Sequence, residues 1–389
     1  MSTSASPTAD RATATARVTP VLAGIGTATP SHRWPQGELA ELQARLWGLE
    51  GEALERWWRI VDGSGIEHRA IVADPAELPR LGTEARMERF ARHAPPLAAS
   101  ASAQAMRTAG VDPASVTDLV IATCTGFRAP GLAIDLIDAG GVGLSPSLRT
   151  LQLGFMGCFG GVAALRAARS IAGDDPEATV LVVCVELCSL HLRHDLDPQN
   201  LVASALFADG AAAAVVRGAA HPPNRESASV TLGRGRSLAM IEHRDSMTWR
   251  ITDHGFAMTL SRDVPGAVRR RIGEFLGGCD RAGDSARRRL VLPHPGGPGI
   301  LEAVEAGCAA VDPEFDRRGL AVASRVLQQH GNLSSAAILF VLEEALRSGL
   351  EPPAELVAFG PGLAIDAIEL DRSSRRLHPA VEGPRTIGP

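Results

Sequence analysis

Short runs of consecutive apolar residues alternate along this chain with longer stretches in which apolar residues recur every three or four positions. The first kind fits strands buried on both faces, and the second fits helices that cover them. Buried strands are expected over 18–29, 118–125 (DLVIATCT), 179–185 and 288–293. A helical pattern runs over 36–60. Another runs over 83–110, with an interruption expected at Pro95-Pro96, where the backbone donors are missing. Residues 206–216, LFADGAAAAVV, read as a hairpin turning at Asp209-Gly210.

The order of elements then repeats. After a linker-like break at 218–227 (GAAHPPNRES), the stretch 288–293 mirrors the strand at 118–125. Residues 324–349 mirror a strand, turn and helix at 151–172, and 355–370 mirror the closing strands of the first half. The chain therefore reads as a duplicated α/β protein, one half over 18–220 and the other over 228–389. Paired as a pseudo-dimer, the halves bring equivalent turns together near a common axis. Residues 1–17 are rich in Ser, Thr and Ala and lack large apolar side chains, which predicts a disordered leader. The leader is shorter than the organelle transit peptides whose composition it shares.

Composition narrows the function classes. With 389 residues, 45% apolar and 21% charged, the sequence suits a globular protein with a large core. A net charge of −5 gives no basic surplus for nucleic acid or an anionic membrane, and no apolar run is long enough for a membrane span. Lysine and tyrosine are both absent. That excludes a lysine Schiff base, a P-loop lysine and a tyrosine general acid. The six cysteines form no C-x-x-C and lack zinc spacing to histidine, so no metal site is expected. They read as free thiols of a cytoplasmic protein.

One cysteine stands apart. Cys158 lies in FMGCFGG, at a turn between a short apolar strand and an Ala-rich helix. The glycines allow a sharp turn and a close approach, and the helix N-terminus favours thiolate over thiol. Two partners are placed to complete a site. His294, in LPHPGGPG, ends the strand at 288–293, and Asn332, in HGNLSSA, sits in the turn equivalent to that of Cys158. Cys and His form a thiolate–imidazolium pair. Asn and protonated His donate to a thioester oxygen that becomes an enolate or oxyanion. Each residue also has a plainer reading: a small buried cysteine, one of 11 histidines, and an Asn that caps the helix after it. A papain-like protease shares the order Cys, His, Asn, but its C-G-[SA]-C-[WY] signature is missing.

FMGCFGG, LPHPGGPG, HGNLSSA and AFGPGLA, in this order, resemble the type III polyketide synthases, the chalcone-synthase-like superfamily. The resemblance covers nearly the whole chain. It implies a five-layered αβαβα thiolase-type fold, a homodimer, and Cys158, His294 and Asn332 as catalytic triad. Phe207 matches the gatekeeper between a CoA tunnel and the cavity, and Met258 stands at the second gatekeeper position. The loop containing Phe359, Gly360 and Pro361 would line the cavity. TCTGFRAPG, ELCSLHLRHDLDPQNLVASALFADG and WRITDHGFAMTLSRDVPG look most like bacterial long-chain alkylresorcinol and alkylpyrone synthases. On that likeness Cys124, His191 and Trp249 tune the cavity.

The implied reaction is iterative condensation of malonyl-CoA onto a long-chain acyl thioester, then cyclisation, with no cofactor beyond the thioester substrates. Arg56 and Arg59, in ERWWR, match CoA-contacting positions. Gly299 replaces a lysine that often contacts CoA, which leaves an acyl carrier protein as an alternative donor. Ala129 replaces the methionine that crosses the dimer interface. Two rival readings remain at this point: a β-ketoacyl carrier-protein synthase III making one condensation, and a scaffold that kept the fold without turnover.

Overall fold

The computed structural model describes residues 19–138, 142–193, 195–221, 230–277 and 289–372. The leader expected over 1–17, Cys279 and most of the break at 218–227 lie outside these residues.

In the first half the strands are β1 (Val21–Ala28), β2 (Arg33–Pro35), β3 (His68–Ala70), β4 (Asp118–Ala122), β5 (Arg149–Leu153), β6 (Thr179–Leu187) and β7 (Asp209–Arg217). Its helices are α1 (Gln36–Trp47), α2 (Gly51–Asp62), α3 (Thr83–Ala109), α4 (Leu132–Asp138), α5 (Gly160–Asp174) and α6 (Pro198–Leu206). The second half adds β8 (Val230–Ala239), β9 (Met247–Thr252), β10 (Gly255–Leu260), β11 (Leu290–Pro293), β12 (Ala354–Gly360) and β13 (Ala364–Arg372). Its helices are α7 (Val264–Gly277), α8 (Pro298–Ala309), α9 (Arg318–His330) and α10 (Ala337–Arg347).

Nine of these strands make one hydrogen-bonded sheet, in the order β11-β12-β13-β8-β1-β7-β6-β4-β5. Its two halves meet at a narrow seam, where β1 and β8 pair through Val21–Thr231 and Leu22–Val230. Period-two alternation sorts the buried side chains into layers. Leu181, Val183 and Val185 of β6 pack in the core beneath α3, while Val180, Val182 and Cys184 join the core that holds α5 and α10. Across the seam, Gly235 of β8 faces Arg166 of α5, and the next residue, Arg236, reaches the Phe275 carbonyl on α7. Helices thus lie outside both half-sheets and between them, the five-layered arrangement that the resemblance implies. The α3 layer sits very close because β1 has no side chain beneath it at Gly24 and Gly26. A Cβ on Gly24 would stand 2.4 Å from the Ala105 carbonyl oxygen.

Several expectations are corrected. The helix expected over 36–60 is two helices, divided at Gly48, whose left-handed φ of 63° ends α1 and turns its N–H back to the Ala44 and Arg45 carbonyls. By contrast α3 is not interrupted, and Pro95 and Pro96 lie inside it. They face partly or fully outward, while Ala94, Ala98 and Ala101 are sealed against the sheet. Packing along the whole helix outweighs a local cost of about 3 kcal/mol per proline.

The Asp209-Gly210 hairpin does not form. Residues 209–217 are one strand, in register with β6 on one side and β1 on the other. Asp209 tolerates the interior because its carboxylate accepts the Val72 N–H at 2.7 Å, the Ser189 N–H at 2.8 Å and the Ser189 hydroxyl at 2.5 Å. The mirrored turns also differ. The Cys158 turn is entered from strand β5 and the Asn332 turn from helix α9. Their shared feature is the exit, a tight 3-10 turn (Gly157–Phe159 or Ser334–Ala336) leading into α5 or α10. Finally, the short apolar strand before Cys158 is β5, and its position decides its burial. It lies at the sheet edge with most of its residues exposed.

Candidate active site

Cys158 sits in the 3-10 turn that opens α5. The glycines around it make room for the second half of the chain. A Cβ on Gly161 would stand 2.4 Å from the Ser335 carbonyl oxygen, and one on Gly157 would stand 2.3 Å from Pro361 Cδ. Gly157 also takes a φ of 58°, and the neighbouring Phe155 one of 62°, so the turn is wound through left-handed backbone. Without these glycines the Cys158 turn could not meet the Ser334–Ala336 turn and the 359–361 loop.

His294 is delivered by the end of β11. Its N–H donates to the Val357 carbonyl at 2.7 Å, and its own carbonyl accepts the Gly296 N–H at 2.9 Å. The imidazole is buried, 2% exposed, yet neither ring nitrogen has a hydrogen-bond partner in the protein. Buried polar atoms are nearly always paired, so a buried ring with two orphan nitrogens marks a place prepared for a ligand.

Asn332 is fixed on both sides of its backbone. Its N–H donates to Leu206 O at 2.8 Å, and its carbonyl accepts the Ala208 N–H at 3.0 Å, forming a parallel bridge with Phe207. Its Oδ1 accepts the Ser334 N–H at 2.9 Å, and its Nδ2 donates to Gly296 O at 3.3 Å. The capping role and the donor role suggested by the sequence therefore coexist. The oxygen caps the turn, and the amide nitrogen points toward the His294 loop and the Cys158 sulfur. Ser334, held at a φ of 49°, puts its hydroxyl 3.8 Å from Cys158 Sγ.

Cys158, His294 and Asn332 all open on one cavity of about 470 Å³. Cys158 is surrounded by protein in every direction, yet its side chain keeps some accessible surface because the cavity reaches it. Burial pushes its thiol up to about 12, against the hydrogen bonds from Ser334 and Asn332, which favour the thiolate. Burial pulls the His294 imidazole down to about 3. Each group alone is therefore held neutral, and the expected ion pair forms only when one proton passes between them.

The cavity brings together most of the other sequence candidates. Phe207, Met258, Cys124, His191, Trp249, Phe359, Pro361 and Arg59 all line it. Trp249 and Met258 are partners across the β9–β10 hairpin, and the Trp249 indole N–H anchors that wall to Cys124 O at 3.1 Å. His191 stacks on Phe256 with ring centroids 4.1 Å apart. It accepts the Phe256 N–H at Nδ1 and donates from Nε2 to Thr125 O at 2.7 Å. Both its nitrogens are occupied and burial lowers its pKa to about 4, so it shapes the wall and has no free base. Two candidates fall elsewhere. Gly360 faces the Cys158 turn, where a Cβ would stand 2.1 Å from the Phe159 ring, so it does not line the cavity. Arg56 is exposed on α2 away from the cavity lining.

Three residues were missed. Ser334 reads in the sequence as the start of a helix. Arg262 is exposed and lines the same cavity as Arg59, but nothing in its neighbourhood marks it. Glu186 is fully buried behind the site. It accepts the Ser335 hydroxyl at 2.5 Å, the Thr125 hydroxyl at 2.8 Å and the Cys124 N–H at 3.0 Å, and burial raises its pKa. A lone acid inside the apolar run VLVVCVELC was its signal. The five cysteines among the described residues are all free thiols. No group of three metal-binding side chains comes together, and no helix is long and apolar enough to cross a membrane, among the described residues.

Comparison with known proteins gives the same arrangement a context. Residues 7–221 match the family model for the N-terminal domain of chalcone and stilbene synthases, and residues 239–373 match the model for the C-terminal domain. The chain is 30% identical over 360 residues to "Probable polyketide synthase 1" of Dictyostelium discoideum, an alignment that takes 88% of this chain and 11% of that protein. The chain thus spans only about a tenth of that relative. Among solved structures, the C-terminal type III polyketide synthase domain of Steely1 from Dictyostelium superposes with a TM-score of 0.83 at 27% identity, covering 91% of this chain and 99% of that one. PKS-I of the brown alga Ectocarpus siliculosus gives 0.83 at 25% identity, over 93% and 100% of the two chains. ORAS, a fungal type III polyketide synthase, shares the fold with a TM-score of 0.80 at 24% identity, over 92% and 100%.

Proposed function

This chain belongs to the chalcone and stilbene synthase family, within the type III polyketide synthase superfamily, and from that premise we propose that it extends a long-chain fatty acyl thioester with malonyl-CoA. Family members are condensing enzymes of the acyltransferase type. The product proposed here is an alkylresorcinol or alkylpyrone. The observation that carries the proposal is the pair of orphan nitrogens on buried His294, facing the cavity that Cys158 and Asn332 share.

The geometry supports the following cycle. His294 takes the Cys158 proton as sulfur attacks the thioester carbonyl, and Ser334, Asn332 and the α5 N-terminus hold the negative charge. The CoA thiolate leaves and takes that proton. Malonyl-CoA enters, its carboxylate C–C bond breaks, and carbon dioxide departs. The electron pair moves onto the thioester oxygen, where Asn332 Nδ2 and His294 donate. The enolate carbon attacks the acyl carbonyl on Cys158, and the sulfur leaves. The lengthened chain returns to Cys158, releasing CoA, and the cycle repeats before ring closure. No further cofactor takes part. Phe207 separates the CoA arm from the inner cavity, whose wall is set by Trp249, Met258 and Phe256. Arg59 and Arg262, exposed where the cavity reaches the surface, supply the phosphate contacts that Gly299 lacks.

Incubation with malonyl-CoA and a ladder of acyl-CoA starters tests this. Long-chain starters should give released products two or more malonyl-derived units longer than the starter. Products of one condensation only would contradict it and favour a synthase of the β-ketoacyl carrier-protein type.

A homodimer completes the reading. The edge strand β5 leaves its outer backbone unpaired, and Leu151 on it, Phe155 just beyond it and Phe127 beside Phe155 stand exposed. Phe127 and Phe155 already lie together, with ring centroids 6.1 Å apart. An apolar patch on an open sheet edge invites a second copy. Light scattering should give twice the chain mass, and Leu151→Arg should yield the monomer. A native protein of single-chain mass at micromolar concentration would contradict the assignment.

A further inference from the structure

Arg69, on β3, is fully buried and outside the cavity lining. Its Nη1 and Nε are committed to groups near the site, while its buried Nη2 has no partner among the described residues. Nη1 donates to the carbonyls of Ser204 at 2.7 Å and Phe207 at 2.8 Å, and Nε donates to Gln36 Oε1 at 2.7 Å. Gln36 Nε2 in turn donates to the Ala205 carbonyl at 2.9 Å. The Leu206 carbonyl is taken by the Asn332 N–H at 2.8 Å. Every carbonyl from 204 to 207, the orphan acceptors at the end of α6, is therefore satisfied by three groups: Arg69, Gln36 and Asn332. The Arg69 stem also touches the other side of the bridge. A Cβ on Gly331 would stand 3.0 Å from Arg69 Cγ. Asp209, on the strand that follows, supplies a compensating charge.

We propose that Arg69 is a positioning residue that sets Phe207 and Asn332 side by side, by bracing from behind the parallel bridge that carries both. This rests on the roles given above to Phe207 as gate and Asn332 as donor. A buried cation is costly to desolvate, and an apolar side chain would fill the same space. A planar fork is what ties the Phe207 and Ser204 carbonyls to Gln36 at once, and lysine, a point charge, cannot reproduce it. Donors aimed at a developing charge lose their effect when displaced by about an ångström, so the bracing acts on rate through Asn332.

The test is a double-mutant cycle on the full-length protein, reading the turnover of malonyl-CoA decarboxylation without starter. Arg69→Met is expected to lower kcat about tenfold or more in the parent, and by less than about twofold when Asn332 is already Ala, because the two act through one group. Equal factors in both backgrounds, the mark of a merely structural defect, would overturn the proposal, as would an unchanged kcat. If Asn332→Ala alone fails to slow decarboxylation, the functional reading falls and this inference falls with it. Should Arg69→Met not accumulate as folded protein, Gln36→Leu, which unpins Nε while keeping the guanidinium, runs through the same cycle. A several-fold loss that vanishes on the Asn332→Ala background supports the proposal, and a loss unaffected by that background, or none, overturns it.

Discussion

Cys158→Ala will release no polyketide from acyl-CoA and malonyl-CoA, a loss on the order of 10³-fold or more, while still decarboxylating malonyl-CoA. In the proposed cycle the sulfur alone bonds to the growing chain. Removing it leaves His294 in place, because that ring is held through its own backbone and the end of β11. It leaves the Asn332 amide oriented by Gly296 O and its carbonyl oxygen by the Ser334 N–H. In the proposed cycle decarboxylation draws on those donors alone. Product mass analysis gives one readout and carbon dioxide release the other. Polyketide formed by the variant would show that the chain is carried elsewhere. Carbon dioxide release that disappears together with the polyketide would show that Cys158 holds the site in shape.

Asn332→Ala reverses the pattern. Loss of one preorganised donor at a developing oxyanion costs about 10²–10³ in rate, so malonyl-CoA decarboxylation should fall by that factor. Acylation of Cys158 should fall much less, within about tenfold, because Ser334 and the α5 N-terminus still support the sulfur. The measurement compares the rate of carbon dioxide release with the rate at which acyl-CoA acylates the protein. A variant with the parental decarboxylation rate would take Asn332 out of the chemistry and leave it as the cap of the Ser334–Ala336 turn.

Which residues meet at the cavity was more legible in the sequence than several of the elements around it, and the reason lies in what each residue depends on. Cys158, His294 and Asn332 each sit in a short glycine-bearing turn, and such turns need particular residues at particular places. Ser334 lacks that mark. A serine two residues after an Asn reads as helix entry, and only the approach of the two turns puts its hydroxyl near sulfur. Asp209-Gly210 shows the converse. As a dipeptide it signals a turn, but Asp209 finds three donors from Val72 and Ser189, distant in sequence, and the strand runs straight through. Pro95 and Pro96 signal a break that packing of α3 over β1, β6 and β7 overrides. Arg69 carries no local pattern at all, since the carbonyls it braces belong to a helix more than a hundred residues away. Arg56 fits its motif and still lies off the cavity, because only Arg59 of that helix comes up beside the opening.

The most direct measurement is the intact mass of the protein after brief exposure to a long-chain acyl-CoA alone, followed by peptide mapping. One acyl group per chain should be added, on the peptide that contains Cys158, and the His294→Ala variant should gain it far more slowly. An acyl group found on Cys124 or Cys188, the other described thiols lining the cavity, or a chain that gains no mass at all, would contradict the account.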